Sequence, residues 1–178
     1  MILVNTVKSH EEHKKTLLKL IGDFEQLHDT KDYTSCSTDF GISQDEKRDY
    51  LDHFHLHILD DIIESVSKQL GLSPCEWDVP IAWFQRYNQS NVHFWHNHAY
   101  SQFTNCYFLE LPDASYKTEI LDMNGNTLEY DAKEGDIITF PAWMKHRSKP
   151  NEGEQKTVIA FNLDFSFPWE ESNLGFFD

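Results

Sequence analysis

The period of the apolar residues changes once along this 178-residue chain, near residue 76, and that change limits the folds open to it. Before it, apolar side chains recur at helical spacing. Leu17, Leu18, Ile21, Phe24 and Leu27 form one such run, behind an S-x-x-E capping-box pattern at Ser9 and Glu12. The spacing predicts a helix over about residues 9–28 and a polar loop over 29–42. Ser43 and Glu46 repeat the capping pattern. Tyr50, Phe54, Ile58, Ile62, Val66 and Leu70 then recur every four residues, as one apolar stripe on a long helix. Gly71 supplies its C-terminal cap and Pro74 marks the stop.

After residue 76 short β-rich runs alternate with turn residues. They cover 79–87, 93–98, 103–111, 118–121, 127–130, 136–140 and 156–165, with turns at 123–126 and at Glu134-Gly135. Strands this short and this regular imply a sandwich or a barrel. Helices first and strands later imply an α+β layout, with the helices packed on one outer face. No linker composition separates the halves. The expectation is one domain over 1–178, mainly helical support over 1–75 and a β core over 76–168.

Charge narrows the partners. Thirty acidic against fifteen basic residues give a net charge of −15, which repels phosphate backbones and anionic lipid. Nucleic acid and a membrane surface are therefore unexpected partners. No stretch approaches the ~18 apolar residues of a membrane span. The N-terminus lacks the apolar run of a signal peptide. Cys36, Cys75 and Cys106 are odd in number, widely spaced and without a CxxC pattern, so free thiols in a reducing compartment are expected. These features together suggest a cytoplasmic protein.

The ten histidines carry the chemistry, and their local periodicity sorts them. His10, His13 and His28 lie among charges on the first helix and read as solvated. His53, His55 and His57 fall on the helical stripe, where residues two apart diverge by about 200° and cannot share an ion. His53 and His57, four apart, can, but no third ligand is evident. His96-Asn97-His98 falls instead on a strand-like run, where residues i and i+2 point to one face. The aromatic segment Val92-His93-Phe94-Trp95 before it suggests a partly closed pocket. Downstream, residues 134–146 read turn, strand, turn, histidine, with Pro141 ending the strand and the turn presenting His146 across the barrel from His96. Two ligands close in sequence and one remote leave coordination positions open, as a catalytic site needs. On the last long strand Lys156, Val158, Ala160, Asn162 and Asp164 share a small, polar face suited to lining a cavity. Thr157, Ile159, Phe161, Leu163 and Phe165 share the packed face.

Three blocks resemble the 2-oxoglutarate and Fe(II)-dependent oxygenases, and look most like small members common in marine bacteria and their phages. They are residues 95–100 with 107–112, residues 135–146, and residues 156–162, in the family's order. The resemblance implies a double-stranded β-helix, or jelly-roll, of cupin-like form. It implies Fe(II) held by His96, His98 and His146. It implies 2-oxoglutarate as cosubstrate, chelating the iron and sending its far carboxylate to Lys156. Tyr87 resembles a cosubstrate-contacting Tyr of prolyl hydroxylases. The implied reaction hydroxylates a peptidyl residue, an amino acid or a small metabolite, with release of succinate and CO2. Two positions depart from the usual pattern. His98 stands where most members carry Asp or Glu, which leaves the site one unit more positive. Lys156 stands where many carry Arg, a point charge in place of a bidentate fork. Two other readings remain open on the sequence. One is a metal-binding cupin without 2-oxoglutarate, in which Gln102 replaces a Glu ligand. The other is a non-catalytic β-sandwich whose histidines are incidental.

Overall fold

A computed structural model describes residues 1–30, 36–72, 75–98 and 100–166. Pro74 lies outside the described residues. The chain opens with strand β1 (Leu3–Thr6) and helix α1 (His10–Leu27), then β2 (Ser37–Thr38). Helix α2 (Asp49–Phe54) runs through a π-helical turn (His55–Leu59) into α3 (Asp60–Leu70). Strands β3 (Glu76–Asp78), β4 (Ala82–Tyr87), β5 (His93–His96) and β6 (Phe103–Glu110) follow. A 3-10 turn at Ala114–Tyr116 leads to β7 (Glu119–Ile120), β8 (Asp136–Pro141), β9 (His146–Ser148) and β10 (Lys156–Ser166).

The strands form two antiparallel sheets. The larger has the order β1-β8-β6-β10-β4-β2, with β3 pairing the far end of β10; the smaller is β5-β9-β7. Alternation along the central strands decides what each face meets. Phe84, Tyr107, Ile137, Ile159, Phe161 and Leu163 join one core with Leu17, Ile21, Phe24, Tyr50, Phe54 and Ile62 of the helices. Tyr87, Cys106, Phe108, Ile138, Phe140 and Val158 point the other way, into a second core with Ile120 and Met144. The helices thus cover one face of the large sheet, and the opposite face is free to line a site.

The helical stripe needs its π turn. Residues four apart on an α-helix drift by about 40°, so six at that spacing would wrap halfway round. The extra residue accommodated by an i→i+5 turn resets the drift, and Tyr50, Phe54, Ile58, Ile62 and Val66 all stay buried. Gly71 then closes α3 at φ 70°, and the Leu72 N–H reaches back to the Ser67 carbonyl at 2.9 Å.

Several expected elements differ. Ser9 does precede α1, but its side chain caps nothing. Ser43 and Glu46 do not start a helix: they form a turn, and α2 begins at Asp49. The turn is held by Arg48, whose guanidinium donates to the carbonyls of Ser43, Glu46, Asp39 and Ile42 and to the Asp39 carboxylate at 2.6 Å. Asp39 also accepts from the Tyr50 hydroxyl at 2.6 Å and from the Phe84 N–H at 2.9 Å, so this buried pair has its lone pairs used. The stretch before residue 76 is not only helical support. It supplies both edges of the large sheet, β1 against β8 and β2 against β4. Residues 127–130 form no strand; a single bridge joins Leu121 to Thr127, around a turn in which Asp122 accepts from the amides of Asn124 and Asn126. Of the run 79–87 only Ala82–Tyr87 forms a strand, β4; residues 79–81, with Pro80 among them, link β3 to β4. No disulfide joins Cys36, Cys75 or Cys106, and among the described residues no helix is long and apolar enough to cross a membrane.

Candidate metal centre

The structure brings His96, His98 and His146 together. One ring nitrogen from each lies within 4.8 Å of the others. Their ring centroids are 4.2 Å (His96–His146), 5.0 Å (His98–His146) and 5.4 Å (His96–His98) apart. The route to this arrangement differs from the expected one. His146 does not face His96 across a barrel: the two are direct cross-strand partners of β5 and β9. Nor is His98 two residues along a shared strand. β5 stops at His96, and His98 is fixed by its own N–H donating to the Ala142 carbonyl at 2.8 Å. The Ala142 N–H in turn donates to the Gln102 carbonyl, so the turn after Pro141 docks on the segment that carries the HxH pair.

Each imidazole is oriented through its Nδ1. That of His96 contacts the Phe94 carbonyl at 2.7 Å, that of His98 the Asn162 Oδ1 at 2.6 Å, and that of His146 the Met144 carbonyl at 3.1 Å. All three acceptors require the proton on Nδ1, which leaves each Nε2 lone pair for an ion. The Thr104 hydroxyl adds a 3.1 Å contact to His98 Nδ1. Trp83 packs against His98, and Phe140 stands edge-on to His146 at 4.9 Å. Burial lowers the pKa of all three rings below the usual imidazole value, that of His146 to about 3, so all are neutral at neutral pH. Neutral nitrogen donors with fixed tautomers are a fitting set for a divalent transition metal.

The same cavity continues to Lys156. It is lined by His96, His98, His146, Thr104, Ser148, Tyr87, Lys156 and Val158, among others. Lys156 and Tyr87 are cross-strand partners on β10 and β4. The Lys156 ammonium lies 4.3 Å from the Tyr87 ring centroid, donates to the Tyr116 carbonyl at 3.0 Å and hydrogen-bonds Ser148 Oγ. Lys156 is 2% exposed, and none of the ion pairs among the described residues includes it. Burial lowers its pKa to about 8. A buried ammonium facing a cavity without a carboxylate partner fits an anionic ligand.

Sequence reasoning missed several residues here. His93 stacks on His96 with centroids 4.0 Å apart and an interplanar angle of 8°, and its Nδ1 is 2.6 Å from Gln85 Nε2. A register shift between His93 and His96 puts residues three apart on one face, which simple alternation does not foresee. The cavity widens past these rings into a space of about 240 Å³ lined by Thr38, Phe40, Trp83, Gln85, Asn97 and the histidines 93, 96 and 98. On the rim, the Arg147 guanidinium lies 4.5 Å from the ring centroid of the partly exposed Trp95. Gln102, which a cupin-type site would use as a ligand, is engaged elsewhere: its side chain donates to the carbonyl of Phe165 and accepts from the N–H of the same residue, both at 3.0 Å.

No family model and no curated protein matches the sequence. Solved structures do match the fold. HygX from Streptomyces hygroscopicus, with nickel and 2-oxoglutarate bound, superposes with a TM-score of 0.66 at 9% identity, over 94% of this chain and 83% of that one. A prolyl hydroxylase from Trichoplax adhaerens, in complex with a hypoxia inducible factor peptide, gives 0.65 at 11% identity, over 92% and 83%. An oxidoreductase of the 2OG-Fe(II) oxygenase family from Burkholderia pseudomallei gives 0.51 at 10% identity, over 57% of this chain; the match spans only half (50%) of that one. At these identities the likeness is one of fold. The helix-covered antiparallel architecture of this chain is shared with these solved structures.

Proposed function

We propose that this chain is a single-domain, Fe(II)- and 2-oxoglutarate-dependent dioxygenase of jelly-roll fold. In this reading it hydroxylates a peptidyl residue, an amino acid or a small metabolite. His96, His98 and His146 are the metal ligands, and Lys156 with Tyr87 receives the far carboxylate of 2-oxoglutarate. The observation that carries the reading is the pairing within one cavity of three Nε2 donors and a buried, unpaired ammonium. A cupin without an acidic cosubstrate has no use for such a lysine. Histidines present by chance would not each have a dedicated Nδ1 acceptor.

Fe(II) and 2-oxoglutarate, when bound, supply the oxygen activation that C–H hydroxylation needs. The chain's own residues do the rest. The carbonyls of Phe94 and Met144 and the Asn162 amide oxygen hold the three rings in their ligand tautomers. Lys156 provides charge for the distal carboxylate while Tyr87 walls the same end of the cavity. Phe140, Val158 and Ala160 exclude water there. With three neutral ligands the metal keeps its full double charge, which favours a dianionic cosubstrate. The wider space beside His93 and Phe40 is where the substrate's reacting carbon would approach, consistent with either a peptide or a small molecule.

Anaerobic titration of the protein with Fe(II) and then 2-oxoglutarate tests this reading. A visible charge-transfer band is expected, and succinate should form when oxygen is admitted. Folded protein that gives neither would refute the assignment.

A further inference from the structure

A second group of histidines lies on the helical layer, away from the cavity. His13 of α1 meets His53 of α2 and His57 of the π turn. His13 Nδ1 and His53 Nε2 share a hydrogen bond at 3.1 Å. The ring centroids are 4.4 Å (His53–His57), 4.7 Å (His13–His57) and 5.0 Å (His13–His53) apart. These separations are those of the candidate centre, 4.2 to 5.4 Å. Imidazoles on one tetrahedral ion, with metal–nitrogen distances of ~2.1 Å, hold their centroids about 5 Å apart. No sequence spacing announces this cluster, because its third member comes from another helix.

We propose that His13, His53 and His57 form a second, labile binding site for a divalent transition metal of the borderline class, such as Ni2+ or Zn2+. Three imidazole donors without a carboxylate or thiolate select that class over Mg2+ or Ca2+. Two elements contribute, so a bound ion would clip α1 to the helix across from it. His13 and His57 now lie stacked, at an interplanar angle of 17°, and the three rings do not bring one nitrogen each within 4.8 Å of the others, as those of the candidate centre do. His57 is exposed, so binding an ion there requires only that its ring turn on the solvent side of the cluster. The ion would replace the His13–His53 hydrogen bond, which needs one of those nitrogens as donor. His57 sits inside the π turn, an irregularity that frequently accompanies functional positions. The chain's net charge of −15 favours cation capture at any exposed donor set. This inference does not depend on the oxygenase reading.

Isothermal titration of the full-length, untagged protein with Ni2+ provides the test. Wild type should bind two equivalents, one of them more weakly. His57→Ala and His13→Gln should each lose the weaker equivalent and keep the stronger. His98→Ala should lose the stronger equivalent and keep the weaker. A Ni2+-dependent rise in melting temperature should persist in His98→Ala and vanish in its double variant with His57→Ala. A single equivalent in wild type that is lost in His98→Ala and kept in His57→Ala would overturn the proposal. So would a weaker equivalent that survives in both His57→Ala and His13→Gln. Should His13→Gln fail to fold, the exposed position of His57 keeps the test decisive.

Discussion

Two clusters of three histidines sit in one chain at nearly the same ring spacing, and they are built on opposite principles. In the cluster of His96, His98 and His146, every Nδ1 meets an oxygen acceptor, and Trp83 and Phe140 pack the rings. In the cluster of His13, His53 and His57, the rings lean on each other, and one nitrogen bonds to another histidine. The first arrangement fixes tautomer and direction before any ion arrives, so little ordering remains at binding. The second leaves ring direction to the ion. Ring proximity sets where an ion can sit; the partner of the other nitrogen sets how tightly it is held.

That contrast can be broken most sharply at His146. His146→Ala removes a ligand from the ordered cluster, so iron affinity should fall by more than the roughly 10–100-fold that outer partners carry. Iron content after gel filtration should drop below stoichiometric, with succinate formation at background. His57→Ala should leave both unchanged. Next in size is Lys156→Ala. Truncating one partner of a buried charge pair costs ~2–5 kcal/mol, which is about 30-fold or more in affinity. The 2-oxoglutarate affinity of the metal-loaded protein should weaken by that factor, while iron affinity holds. Loss of iron as well would place Lys156 in the metal site's framework and not at a cosubstrate. Asn162→Ala comes third. It strips the Nδ1 acceptor of His98 and should weaken iron binding by roughly 10–100-fold, measured by competition with a chromophoric chelator. An unchanged affinity would show that the contact with Thr104 suffices to orient the ring.

How much of this was legible in the sequence follows from how local each cause is. The two faces of β10 were readable, because strand alternation is a two-residue rule: Lys156, Val158 and Ala160 line the cavity while Ile159, Phe161 and Leu163 pack under the helices. The stripe from Tyr50 to Val66 was readable as buried, though not the π turn that keeps it so. The approach of His96 to His146 was foreseen from motif order, but its form was not, since β5–β9 pairing joins strands fifty residues apart. His98 converges through a carbonyl of the 141–146 turn, a contact no spacing encodes. β1 and β2 were missed because edge strands of four and two residues carry too few side chains to show a period. The Ser43 and Glu46 pattern misled for a related reason. A capping box needs a helix within one turn, and here Arg48 took those carbonyls for a turn of its own.

The smallest effect expected near neutral pH is also the most specific, and it separates the cavity from the helical cluster. Lys156 is fully buried, and burial holds its pKa at about 8 against an unfolded value of 10.5. Below pH 8 the ammonium form is present, and 2-oxoglutarate affinity should be insensitive to this group. Above pH 8 an increasing fraction of the free protein is neutral there, and affinity should fall by about tenfold per unit, since binding must first restore the proton. The stability of the ligand-free protein should move the other way. Between pH 8 and 10.5 the unfolded chain binds more protons at this residue than the folded one, so folding becomes more favourable as pH rises. Lys156→Met removes the group, and the difference between wild type and this variant isolates both slopes from other titrations. Isothermal titration gives the first and chemical denaturation the second. Opposite slopes over the same window would identify Lys156 as a buried cation held in the fold at a cost in stability and useful only once an anion arrives. Ni2+ binding at His13, His53 and His57 should show no difference between the two proteins over that range.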